Sequence, residues 1–92
     1  MAVSKIPNPM SMVGGTATST ISKAHGSRGT ITAPSKPGYR FHHWLCAVSN
    51  GWIGNVYIES PFSATSNIWS ANYGITDTAQ GKVIAYCMYV PA

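Results

Sequence analysis

Glu59 and Asp77 are the only side-chain carboxylates in this 92-residue chain, so acid–base chemistry has little to draw on. A glycosidase pair would have to be these two, and nothing in their spacing places them across one cleft. His25, His42 and His43 are the available bases, and serine and threonine hydroxyls are plentiful. No GxSxG elbow exposes one as a nucleophile, and a triad through Asp77 has no sequence signature. His42 and His43 fall on opposite faces of a regular strand, with no nearby cysteine or carboxylate to complete a metal set. GGTATST and HGSRGT lack the GKS or GKT ending of a phosphate-binding loop, and no dinucleotide fingerprint is present. These absences argue against an enzyme, a cofactor or a bound metal, and place the function in a surface.

Aromatic and amide side chains are the better candidates for that surface. Trp52, Tyr57, Trp69 and Tyr73 offer rigid contact area, while Asn67, Asn72 and Arg40 supply directional hydrogen bonds. This combination suits a carbohydrate, whose rings present both apolar C–H faces and hydroxyl edges. Trp44 is expected in the core, and Trp52 and Tyr57 are divided between core or subunit interface and ligand. Trp69 and Tyr73 belong to the loop-rich stretch 60–81, where exposure is expected.

The elements that position these residues read as strands. TATSTIS at 16–22 and RGTITA at 28–33 alternate small polar with β-branched residues. Pro37-Gly38 opens a longer strand from Tyr39 to about Ser49, expected to be central. Asn50-Gly51 signals a hairpin returning through Trp52, Val56 and Ile58, with Gly54 marking a bulge or a close backbone approach. KVIAYCMYV at 82–90 is the closing strand, and its apolar residues at both parities require two covered faces. The expected architecture is all-β, a compact antiparallel β-sandwich or jelly-roll-like module. Residues 1–13, with Pro7 and Pro9, read as an extended leader, and 14–92 as a single β domain.

The formal charge is +4, yet the six basic residues are scattered without a run of three, which argues against nucleic-acid binding. The start MAVSKIPNPMSMVGG carries no continuous apolar segment, so neither a secretory signal nor membrane insertion is expected, and the isolated chain should be soluble. Cys46 and Cys87 are expected as buried thiols, with a disulfide left open should their strands be adjacent.

The order GTITAPSKPGYRFHHWLCAVSNGWIGNVYIESP, SNIWSANYG and GKVIAYCMYV resembles the small β-structured C-terminal modules of bacteriophage tail-fibre, baseplate and receptor-binding proteins. The resemblance spans roughly residues 28–92. It rests on Pro37-Gly38, Gly51-Trp52, the VYIE strand at 56–59, the NIW segment at 67–69 and the closing strand from Tyr86 to Val90. It implies a homotrimer, a virion location in tail or baseplate, and recognition of a host-surface saccharide. A structural capsid, baseplate or decoration component that binds another virion protein is the alternative.

Overall fold

The computed structural model describes residues 11–24, 26–50, 55–71 and 79–92. Among the described residues there are six strands, all antiparallel in their pairings: β1 (Val13–Ser22), β2 (Arg28–Thr32), β3 (Tyr39–Asn50), β4 (Val56–Glu59), β5 (Thr65–Ser70) and β6 (Gln80–Pro91). They form two three-stranded sheets, ordered β1-β6-β3 and β2-β5-β4. The sheets stack as a β-sandwich. Its flanks are formed by β1 lying beside β2 and by β3 lying beside β4. Ser19 Oγ, donating to the Thr30 carbonyl at 2.7 Å, ties the first of these flanks.

Period-2 alternation decides which residues enter the core. In β6, Gly81, Val83, Ala85, Cys87 and Tyr89 are buried, whereas Lys82 and Tyr86 are exposed. Across the ladder, Ala17 and Ile21 of β1 face Ala85 and Gly81. The opposing sheet contributes Ile31, Val56 and Ile68, with Trp44, Ala47 and Ile58 packed against this cluster. A second cluster, Ala33, Cys87 and Tyr89, closes one end with Val13, Tyr39, Phe41 and Trp44 around it. Two buried polar residues, Ser66 and Ser70, sit in β5. Ser66 Oγ donates to the Ser63 carbonyl at 2.9 Å, so its burial leaves no donor stranded.

Several sequence expectations are corrected. The strand beginning at Tyr39 is an edge of its sheet, and β6 is central. The hairpin expected at Asn50-Gly51 does not form a ladder: β3 pairs with β6 and β4 with β5, so the chain crosses between sheets there. Residues 51–54, including Gly54, lie outside the described residues. The hairpin of this region instead joins β4 to β5 through a turn at 60–64.

Register shifts in β3 fall between Phe41 and His43 and between Trp44 and Cys46. Each inserts one residue, so the inward set is Phe41, Trp44 and Ala47, opposite Tyr89, Cys87 and Ala85. Strict alternation had placed Trp44 opposite in parity to Phe41 and Ala47. The same shift corrects the histidine expectation. His42 and His43 do not diverge, and their Nδ1 atoms lie 2.7 Å apart as a hydrogen-bonded pair. Both cysteines are free, with Cys87 buried and Cys46 exposed. Cys46 pairs in register with Tyr86 on the outer face, whereas Cys87 faces inward, so the adjacent strands do not bring the two thiols together.

Candidate functional site

The outer face of the β2-β5-β4 sheet brings aromatic, amide and charged side chains together. Ladder register aligns Arg28, Trp69 and Tyr57 in one row across the three strands, and Thr30, Asn67 and Glu59 in the next. These positions alternate with the buried Ile31, Ile68 and Val56, so period 2 alone carries them outward.

Tyr57 and Trp69 stand nearly parallel, with ring centroids 5.8 Å apart and planes inclined by 28°. Tyr57 is 49% exposed, enough for its ring to meet a ligand without rearrangement. The Arg28 guanidinium lies over the Trp69 ring at 5.8 Å from its centroid. Its Nε also donates to Glu59 Oε1 at 3.2 Å. With the Arg28 side chain 62% exposed, this ion pair contributes about 0–1 kcal/mol to stability. Its larger effect is to hold both charged groups beside the aromatic pair. Asn67 Nδ2 donates to the Ser60 carbonyl at 3.2 Å, which fixes the amide and leaves its oxygen as an acceptor.

Four residues singled out from the sequence can thus be placed. Tyr57, Trp69 and Asn67 come together on this face. Arg40 does not join them: it lies on β3 in the other sheet, in register with Val90. Trp52, Asn72 and Tyr73 lie outside the described residues. Arg28, Glu59 and Thr30 complete the patch and were missed. Their signal is the alternation of RGTIT and VYIE, in which the positions between the inward Ile31, Val56 and Ile58 face outward.

Comparison with protein-family models, with curated proteins and with solved structures finds no match. The chemistry of the patch must therefore be read from its own atoms. Trp69 stands between Tyr57 and the Arg28 guanidinium, so the half-exposed Tyr57 ring is the apolar face open to C–H groups, while a guanidinium, a carboxylate and an amide lie within one or two residue spacings of it. That set can grip a flat, hydroxyl-rich ring and orient it by hydrogen bonds. Among the described residues no three histidine, cysteine or acidic side chains cluster, so the His42–His43 pair stands as a couple without a third ligand of that kind. No helix is long and apolar enough to cross a membrane among the described residues.

Beside β4 runs a second feature, an open cleft of about 320 Å³ between β3 and β4 lined by Trp44, Leu45, Ala47, Ile58 and Phe62. The Trp44 indole N–H donates to the Ser63 carbonyl at 2.8 Å. The cleft is predominantly apolar and adjoins Tyr57, which forms part of its lining.

Proposed function

We propose that this protein is a saccharide-recognition module of a phage-like tail or baseplate, with the outer face of the β2-β5-β4 sheet as its binding surface. The Tyr57–Trp69 pair, bracketed by Arg28, Glu59 and Asn67, is the observation that carries this reading. Aromatic faces stack on the apolar side of a pyranose, and the polar groups discriminate among hydroxyl configurations. Such an open, flat site gives weak binding per chain. A homotrimer would present three copies, and avidity would then raise the effective affinity wherever receptor spacing allows simultaneous contact. The phage assignment rests on the sequence resemblance, and the saccharide assignment on the patch.

The experiment is a screen of bacterial surface glycans with wild-type protein and with Trp69→Ala, each checked for an unchanged fold by circular dichroism. Binding by the wild type that weakens by about 2 kcal/mol, roughly thirtyfold, in the variant supports the reading. Saccharide binding that ignores the substitution contradicts it.

A second reading, a structural virion component that binds protein, is favoured by the opposite face. On the β1-β6-β3 sheet, Val48, Tyr86 and Leu45 are exposed, and Ile84, Met88 and Val90 are only partly buried. An apolar band of this kind is the sort that a subunit contact covers. The two readings are compatible if this face holds the assembly together and the other meets the receptor.

A further inference from the structure

β3 carries its two adjacent histidines at its first bulge. Phe41 stands opposite Tyr89 and His43 opposite Met88, so His42 is the extra residue, without a partner in the ladder. Phe41 and Tyr89 pack into the core, and the next pair, His43 and Met88, therefore projects from the outer face of the β1-β6-β3 sheet. His42 turns its ring to the same place. The two Nδ1 atoms lie 2.7 Å apart, with ring centroids at 4.9 Å and planes at 80°. His42 is exposed and His43 half-buried, so solvent reaches the pair.

Two imidazole nitrogens this close require a proton or a cation between them. With both Nδ1 atoms bare their lone pairs repel, and one proton on either atom makes the hydrogen bond. A metal ion can replace that proton and accept both lone pairs. Nitrogens at neighbouring positions of a square-planar or tetragonal ion, bound at about 2.0–2.1 Å, stand about 2.9 Å apart. A small rotation of the two surface rings reaches that spacing from the one observed.

The surroundings select the ion. Glu59, the one acidic side chain among the described residues, is held by Arg28 on the other sheet, so no carboxylate joins the pair. No third histidine, cysteine or acidic side chain clusters with it among the described residues. Met88 is a donor of another kind. It lies across the ladder from His43, where opposed Cβ atoms are about 4.5–5.5 Å apart, and its thioether sits on a flexible, unbranched side chain. Imidazole and thioether donors without carboxylate disfavour calcium, magnesium and manganese, and copper stands above nickel and zinc in the affinity order.

We propose that His42, His43 and Met88 form a copper site on the outer face of the β1-β6-β3 sheet, with the two Nδ1 atoms as its main ligands and the Met88 sulfur as a weaker third. The site lies on the sheet opposite the Tyr57–Trp69 patch and is independent of whether that patch binds sugar.

The test is titration of the full chain with copper(II), nickel(II) and magnesium(II) in parallel, followed by calorimetry and, for copper, by electron paramagnetic resonance. One copper ion per chain is expected, with hyperfine splitting from two imidazole nitrogens, weaker binding of nickel and none of magnesium. His42→Gln and His43→Gln alter surface side chains, so circular dichroism should report an intact fold. Each should weaken copper binding by at least about tenfold and remove one nitrogen from the spectrum. His25→Gln should leave both readouts unchanged, as should Cys46→Ser, which removes an exposed thiol able to bind or reduce the ion. Met88→Leu conserves side-chain volume and removes the sulfur, and should weaken copper(I), measured without oxygen against a chromogenic chelator, by at least about tenfold. Copper binding that survives both histidine substitutions, or that disappears with His25→Gln or Cys46→Ser, overturns the proposal. Copper(II) bound no more tightly than magnesium also overturns it, and copper(I) affinity unchanged in Met88→Leu overturns the three-ligand set.

Discussion

Tyr89 runs across the inner face of β1 at Gly15, where a Cβ would overlap its ring. Gly15→Ala must displace a buried aromatic that also fastens Pro34, and is expected to cost about 1–3 kcal/mol, measurable by urea unfolding. Burial raises the Tyr89 hydroxyl above the usual tyrosine value of 10.0, and the neighbouring Cys87 adds to the shift by a hydrogen bond and by charge. A raised folded-state value means that Tyr89 stays neutral in the native protein where the unfolded chain already ionises. Its contribution is therefore fully present below about pH 10 and is lost as pH rises through the folded value. Stability measured in urea should hold level to about pH 9 and decline at higher pH, and Tyr89→Phe should flatten that alkaline decline. At the patch, Glu59→Gln should change stability by less than about 1 kcal/mol in the same assay, because the Arg28 contact is exposed.

The two bulges of β3 are the element on which the sandwich turns. They bring Phe41, Trp44 and Ala47 inward at three-residue intervals, where an unbroken strand would have sent Trp44 outward. Deleting Leu45 takes out the extra residue of the second bulge and leaves Trp44 opposite Cys87 and Cys46 opposite Tyr86, so both halves of the strand keep their register with β6. The expected outcome is a change of no more than about 1 kcal/mol in urea unfolding, because the residue removed is exposed and outside the ladder. Strand positions were legible in the sequence wherever turn residues bound an alternating run, as at Pro37-Gly38 before β3 and at Gly81 within the start of β6. Strand partners were not. Asn50-Gly51 is a strong local hairpin signal, but Val56 and Ile58 find their place beside Ile68 in the opposite sheet, a choice made by long-range burial. The histidine geometry was hidden for the same reason, since a bulge leaves no mark in residue type at His42. Tyr57, Trp69 and Asn67 could be named as surface candidates, yet only the ladder register joins them with Arg28 and Glu59.

Across the whole molecule, the two sheets present outer faces of opposite character. One carries Tyr86, Val48 and Leu45, the other the Arg28–Trp69–Tyr57 row. This division fits an assembly that buries the first face and displays the second. Light scattering coupled to size-exclusion chromatography should give a mass near three chains, and Val48→Asp with Tyr86→Lys should lower it to that of one chain without loss of β-sheet signal. Whether the displayed face recognises sugar is decided most directly by the surface-glycan screen with wild-type protein and Trp69→Ala side by side. A saccharide-binding patch predicts a defined set of glycans bound by the wild type and lost, or weakened about thirtyfold, in the folded variant. An absence of glycan binding by the wild type, or a profile the substitution leaves intact, would contradict it.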